Sequence, residues 1–305
     1  MREPNFIVAG APRCGTTALY AYLSEHPQIF MSKVKELNYF SKDFPNMQKV
    51  AFQSDDDYFQ SFAEATDEHI GIGEASPFYL FSEVAFDDMY ATLPNAKLIV
   101  SLRNPVDFIQ SYHRLNLSLL RESEDNLQKA WALQGERKLG KSLPKNLREP
   151  ALLIYGELGK FSKYIEKLFA TYPREQIKVI LLDDLHADTK AVYEDILVFL
   201  EIPSDGRDEF PRVNARFENK SQFMAKLFHP SPRVYQLFME TISFFGTGFM
   251  EKVSVVYDKL ERLNTKPTQG SEMDAEFRRY LTEYFREDIE KLSALLDRDL
   301  SAWLA

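Results

Sequence analysis

The sequence predicts an α/β protein with a central parallel β-sheet flanked by helices, and three observations predict it. Short, almost wholly apolar runs recur along the first two thirds of the chain, each followed by a stretch of helical periodicity. Runs apolar at every residue belong to strands covered on both faces, as parallel strands are. The first run passes through a glycine-containing loop directly into a helix, which is the opening unit of a doubly wound sheet. Composition fits: 45 % of the 305 residues are apolar and 27 % charged, enough apolar chain for a large core and too much for a disordered one.

Phe6–Ala9 is the first strand, stopped by Gly10. After the loop from Gly10 to Gly15, Leu19, Tyr22 and Leu23 recur at helical spacing until His26-Pro27 ends the pattern. A second short strand is expected at Gly71–Glu74. The clearest is Lys97–Leu102, after which Asn104-Pro105 supplies an N-cap and first helical residue for a helix through about Arg121. Ile177–Leu182 is a further buried strand and Ala187–Ile202 a further helix. From about Asn214 the chain reads as helical and aromatic-rich, ending in an amphipathic helix over Met273–Trp303. Val234–Tyr257 is unusually apolar, with Phe238, Phe244, Phe245 and Phe249 close together. Core or cap packing is the favoured reading there, over a lid lining an acceptor site. No repeat, low-complexity tract or long linker divides the chain, so a single domain over 1–305 is expected, with a core at 5–202 and a helical part at 214–305 packed on it.

Lys and Arg number 37 against 46 Asp and Glu, a net charge of −9, so the basic face of a nucleic-acid binder is not expected. A single cysteine, Cys14, cannot form an internal disulfide and fits a reducing compartment. Met1-Arg2-Glu3-Pro4 leads into the first strand without an apolar leader, and no run of about 18 uncharged apolar residues occurs. The expectation is a soluble, cytoplasmic protein with no transmembrane segment.

Gly10-Ala11-Pro12-Arg13-Cys14-Gly15-Thr16-Thr17 lies between strand and helix. Such a loop turns peptide N–H groups inward, and the helix N-terminus adds partial positive charge, so it suits a phosphate-like anion. Against the pattern G-x-x-x-x-G-K-[ST], both glycines and Thr17 are present, but Thr16 stands where the lysine belongs. A cation appears three places earlier, at Arg13. A kinase or ATPase without that lysine loses its main β/γ-phosphate contact.

With these residues Phe6–Pro27 resembles the 5′-phosphosulfate loop of sulfotransferases that use 3′-phosphoadenosine 5′-phosphosulfate (PAPS), in the branch of bacterial and heparan sulfate sulfotransferases. Lys97–Arg114, KLIVSLRNPVDFIQSYHR, resembles the 3′-phosphate motif of the same family, and Gly73–Tyr79, Ser82–Ala85, Tyr172–Ile177 and Asp183–Leu185 are similar to further segments. The likeness covers roughly residues 5–202. It implies a P-loop-NTPase-like sheet, PAPS as sulfuryl donor, 3′-phosphoadenosine 5′-phosphate (PAP) as product, and no required metal. It implies that the loop residues Arg13, Cys14, Gly15, Thr16 and Thr17 bind the 5′-phosphosulfate, and that Arg103 and Ser111 bind the 3′-phosphate. The family usually has lysine at the Arg13 position, against the bridging oxygen. Arginine stays charged and does not readily donate a proton, so its role would be electrostatic.

Transfer to a hydroxyl needs a group to take the acceptor's proton. Lys35-Glu36-Leu37-Asn38-Tyr39-Phe40 resembles the family's K-E-x-x-[FY]-F segment, which implies Glu36 as general base. Without the motif, a salt bridge to Lys33 or Lys35 would be the better reading of Glu36. His113, two residues after Ser111, is the rival base, but helical residues two apart point about 200° from each other. His26, His69, His186 and His229 have no motif context and read as surface or packing residues. No C-x-x-C, H-E-x-x-H or carboxylate cluster suggests a metal. At Cys14, a small residue beside a phosphate is preferred to a reactive thiol.

The acceptor is a small molecule or glycan of open identity. Heparan-directed members commonly carry lysine after the motif glutamate, where this chain has Ala75, so a highly sulfated polymer is disfavoured. Arg137, Lys138, Lys141, Lys145 and Arg148 read as a solvated basic stretch before an acceptor groove. Around Asn219-Lys220-Ser221, a loop closing over the nucleotide competes with a solvated lysine. Two other function classes remain: a small-molecule P-loop kinase, which Thr16 opposes, and a non-catalytic nucleotide-binding protein.

Overall fold

Strands that are apolar on both sides need cover on both faces. The computed structural model describes all residues except 1, 49–51, 53, 148, 212–216, 222–223, 225–231, 244–245, 264 and 268–272. Within it the chain groups into two compact units, each drawn from separate stretches. The first is Met1–Leu102, Phe169–Ala215 and Leu237–Lys259; the second is Arg103–Leu168, Arg216–Gln236 and Leu260–Ala305.

The first unit carries five parallel strands, β1 (Phe6–Gly10), β2 (Ile29–Met31), β3 (Gly71–Ala75), β4 (Lys97–Leu102) and β5 (Ile177–Leu181), in the order β2-β3-β1-β4-β5. β1 is central and every residue of it is buried. Phe6 pairs with Gly73 of β3 on one side and with Lys97 of β4 on the other. On one face Phe6, Val8, Ile99 and Ile180 meet Leu19 and Leu23 of helix Thr16–Ser24 and Tyr193, Ile196 and Leu197 of helix Thr189–Leu200. A helix of nine residues is marginal alone, so this burial, roughly 1.5–3 kcal/mol for each large apolar side chain, is what holds Thr16–Ser24.

The expected strands at Phe6–Ala9, Gly71–Glu74, Lys97–Leu102 and Ile177–Leu182 all form, with ends within a residue of those read. β2 is an addition: three residues at the sheet's edge, paired Ile29 to Gly71, carry too little pattern to be seen. The helix expected over Ala187–Ile202 forms as Thr189–Leu200, started by Asp188, whose side chain accepts the Ala191 N–H at 2.9 Å; a separate short helix, Leu182–Ala187, precedes it. The end of the longer helix is set at Glu201, which is left-handed at φ 61°.

The second unit is mainly helical, with a two-stranded antiparallel pair, β6 (Phe217–Asn219) and β7 (Thr265–Pro267). Helix Pro105–Ser118 opens on Asn104, whose Oδ1 accepts the Val106 N–H at 2.9 Å, and stops short of the expected Arg121. The C-terminal helix runs Ala275–Leu296, with a separate short turn at Ser301–Leu304, rather than unbroken to Trp303. Asp297, left-handed at φ 50°, ends it. Phe277, Leu281, Phe285, Ile289 and Leu292 form its buried stripe at helical spacing. In the apolar stretch Val234–Tyr257, core packing does not describe Phe238 and Phe249, which are 45 % and 44 % exposed. Phe244 and Phe245 lie outside the described residues. Among the described residues no helix is long and apolar enough to cross a membrane.

Candidate functional site

The glycine loop begins where β1 ends. Gly10 has no room for a side chain, since a Cβ there would stand 2.6 Å from Leu80 Cβ. Ala11 N–H donates to Ser101 O of β4 at 2.7 Å, and the Ser101 hydroxyl donates to Cys14 O, so the loop is tied to the neighbouring strand. Arg13 and Gly15 are left-handed, at φ 64° and 89°. A backbone that changes hand in this way turns its N–H groups toward a concavity suited to an anion. Gly15 is the N-cap of helix Thr16–Ser24 and offers no capping side chain, so the helix start carries its partial positive charge without an internal acceptor. A Cβ at Gly15 would also lie 2.9 Å from Leu182.

Of the loop residues expected to bind phosphosulfate, Arg13, Gly15 and Thr17 are half-buried, and Thr16 and Cys14 are buried. The Cys14 N–H faces Ala11 O at 3.3 Å, closing the loop's own turn. Its thiol is fully buried, which fits a small packing residue and not an accessible nucleophile.

Glu36 is brought to the same edge of the sheet. Its N–H donates to Ala75 O at 2.9 Å, and Ala75, the last residue of β3, pairs with Val8 of β1. Arg13 follows the carboxyl end of β1 by three residues. Glu36 is therefore tethered at the carboxyl end of the strand beside the loop, neighbouring strands being about 4.8 Å apart. Open α/β sheets bind ligands at that edge. Glu36 Oε1 accepts from Lys35 Nζ at 2.8 Å, so the ion pair weighed against the base role does form; Lys33 pairs with Glu64 instead.

Beneath this segment lies a carboxylate of the Gly73–Tyr79 motif. Glu74 of β3 is fully buried and accepts three hydroxyl bonds: Ser76 Oγ at 2.6 Å on Oε2, with Tyr79 at 2.7 Å and Tyr58 at 3.0 Å on Oε1. Burial pushes its carboxyl above the usual range, and the hydroxyl donors offset that only in part. Burial and then the Glu74 charge push the Tyr58 and Tyr79 phenols well up, so both stay protonated donors.

In the second unit, Arg103 immediately follows β4 in the chain. It lies 4.0 Å from Asp107, and Arg278 of the C-terminal helix donates to the same carboxylate, Nη1 to Oδ1 at 2.9 Å. Ser111 sits one turn beyond Asp107 on the same helix face, with Arg114 a turn further. Two guanidinium groups against one carboxylate leave the cluster cationic, as a phosphate site requires. The sequence motif points to Arg103 and Ser111 as candidates; Arg278, whose partner Asp107 is 171 residues away in the chain, is not singled out by it.

His113, the alternative base, is buried with Nε2 2.8 Å from Glu124 O, and burial lowers its pKa. His26 bridges Pro203 O and the Gln28 N–H, a packing role. His229 lies outside the described residues. Among the described residues no group of three or more His, Cys, Asp or Glu side chains could hold a metal. The basic stretch is not uniformly solvated. Arg137 is buried and paired with Glu122 at 2.8 Å, so it lines no groove; Lys141 and Lys145 are exposed, and Arg148 lies outside the described residues. Lys220 Nζ donates to Leu263 O at 3.0 Å, and Asn219 closes β6, its side chain lying outside the described residues.

A family model for the sulfotransferase domain matches residues 3–288. A crystal structure of a sulfotransferase from Alicyclobacillus acidocaldarius is 27 % identical, with 100 % of both chains covered and a TM-score of 0.72. The membrane-associated sulfotransferase kil1 of Dictyostelium discoideum is 35 % identical over 121 residues, 40 % of this chain and 25 % of that protein. Bifunctional heparan sulfate N-deacetylase/N-sulfotransferase 2 of Bos taurus is 26 % identical over 321 residues, 99 % of this chain and 31 % of that protein. Carbohydrate sulfotransferase 15 of Homo sapiens is 24 % identical, covering 65 % of this chain and 44 % of that protein. The chain thus spans less than half the length of these curated relatives.

Proposed function

This chain belongs to the sulfotransferase family, and from that premise we propose that it moves the sulfuryl group of PAPS to a hydroxyl or amine of an acceptor. The observation that supports this reading is the Glu36 N–H bond to Ala75 O, which tethers the Glu36 backbone at the end of the strand beside the one that leads into the glycine loop. The acceptor atom attacks sulfur in line with the bridging oxygen. The sulfur–bridging-oxygen bond breaks, PAP leaves with the electron pair, and Glu36 takes the acceptor's proton. Peptide N–H groups of the Arg13–Thr17 turn, with the Thr16 and Thr17 hydroxyls, hold the 5′-phosphosulfate. The Arg13 guanidinium meets the charge that develops on the bridging oxygen. Arg103 and Ser111 hold the 3′-phosphate.

For the acceptor we favour a carbohydrate, lipid or small natural product over a densely sulfated polymer. Ala75 brings no cation where a polyanion would need one, and the chain is net acidic. Calorimetry with PAP in metal-free buffer, beside ATP with Mg²⁺, tests the donor. The expected result is PAP binding that Arg103→Ala weakens by about tenfold or more, a lost charge-assisted bond being worth about 1.5–3 kcal/mol. Preference for ATP with Mg²⁺ would overturn it in favour of a kinase.

A further inference from the structure

We propose that Glu74 is a positioning residue for Glu36, acting through Ser76 and Asn38. The inference rests on the reading of Glu36 as the base and extends it to residues with no assigned role. Glu36 and Asn38 are left-handed, at φ 67° and 52°. Asparagine tolerates that region, whereas glutamate rarely adopts it and keeps it only where surrounding bonds enforce it. Those bonds are present. Glu36 N–H is fixed to Ala75 O, and Asn38 Nδ2 spans Glu36 O at 3.1 Å and Met47 O at 3.0 Å. Asn38 N–H donates to Ser76 Oγ at 3.0 Å.

The Ser76 hydroxyl decides whether that last bond can form. It has one hydrogen, and to accept from Asn38 it must send that hydrogen elsewhere. Glu74 Oε2 takes it at 2.6 Å. In its ionised form Glu74 is acceptor-only and fixes the polarity of the whole chain, from Asn38 N–H to Ser76 hydroxyl to carboxylate. Tyr58 and Tyr79 occupy its other oxygen, so the group cannot turn away. Ser76, Asn38 and Glu74 are all buried, so water does not compete for these bonds. The backbone that aims Glu36 is thus latched to a carboxylate inside the sheet, and Glu74 itself touches no substrate.

A double-mutant cycle with a structural arm tests this. PAP release from PAPS is followed with p-nitrophenol and de-N-sulfated heparan sulfate as hydroxyl and amine probes, and PAP affinity by calorimetry. Ser76→Ala is expected to lower turnover about tenfold or more while PAP affinity stays within about twofold. In a Glu36→Gln background the same change should cost nothing further, because its effect runs through Glu36. A crystal structure of Ser76→Ala with PAP should show the Glu36 carboxylate displaced by about 1 Å or more. Where Ser76→Ala does not fold, Glu74→Gln serves, since it keeps the shape and both tyrosine bonds but presents an amide to Ser76. Glu36 unmoved in the crystal, or losses that add in the double variant, would overturn the proposal. Unchanged turnover in Glu36→Gln alone would instead overturn the base reading, leaving the crystal comparison to judge the latch.

Discussion

Among the described residues each unit buries one glutamate side chain, and the two are held in opposite ways. Glu74 in the first unit meets three hydroxyl groups and, among the described residues, no cation within bonding distance, and burial raises its pKa. Glu122 in the second accepts from Arg137 at 2.8 Å, from Tyr155 at 2.8 Å, and from the Ser123 and Glu124 N–H groups. Burial pushes Glu122 up as well, but Arg137 and the other donors outweigh it and hold the carboxyl below its usual range. Burial alone therefore does not set a carboxylate's charge; the partner does. The Glu122 pair joins the segment after helix Pro105–Ser118 to helix Gln134–Lys138, a structural lock. Glu74 accepts from the Ser76 hydroxyl, which in turn accepts the Asn38 N–H two residues from Glu36, the proposed base.

Breaking the lock should cost most. Arg137→Ala leaves Glu122 buried without its counter-charge, a loss of about 3–5 kcal/mol by denaturant melts. Glu74→Gln keeps its tyrosine bonds and should shift stability at pH 7 by less than about 1 kcal/mol. Equal losses would erase the distinction between lock and latch.

Titration sharpens the comparison with opposite signs. Glu122 has a depressed folded pKa, so its contribution is present above the ordinary value of 4.5 and is lost as pH falls through the folded value. Glu74 has a raised one, so its contribution is present below 4.5 and is lost as pH rises through the folded value. In urea melts across that range, stability relative to wild type should rise with pH for Glu74→Gln and fall with pH for Glu122→Gln. The same slope in both would contradict the assignment.

Helix caps give the smallest effects, again one in each unit. Asp188→Ala should cost about 1 kcal/mol. Asn104→Ala should cost more, about 2 kcal/mol, because Asn104 Nδ2 also donates to Trp303 O at 3.1 Å. Thermal melts of the two variants in that order would bear this out, and the reverse order would not.

What the sequence disclosed follows the range of the interaction concerned. β1, β4 and β5 and the Asn104 cap depend on neighbours in the chain, and all are legible from residue order. The Asp188 cap is equally local, and it starts its helix within two residues of the Ala187 read from the sequence. The loop was proposed from its glycines and its place between strand and helix, and Glu36 from its likeness to a family segment; the Glu36 N–H bond to Ala75 O and the β1–β3 pairing tether them at the same end of the sheet. Arg137 was misread because its charge suggested solvent, while its partner Glu122 stands 15 residues away and is met only on folding. Arg278 escaped for the same reason. Glu74 was visible as a motif letter with Ser76 and Tyr79 beside it, but the third donor, Tyr58, comes from helix Asp55–Gln60, and the burial that sets the group's chemistry exists only in the folded chain.

The most direct test of the account is Glu36→Gln, assayed for PAP release from PAPS with the two acceptor probes and for PAP binding by calorimetry. The account predicts turnover reduced by about 10²-fold or more, as expected for loss of a general base, with PAP affinity within about twofold of wild type. Turnover close to wild type in the presence of normal PAP binding would contradict it.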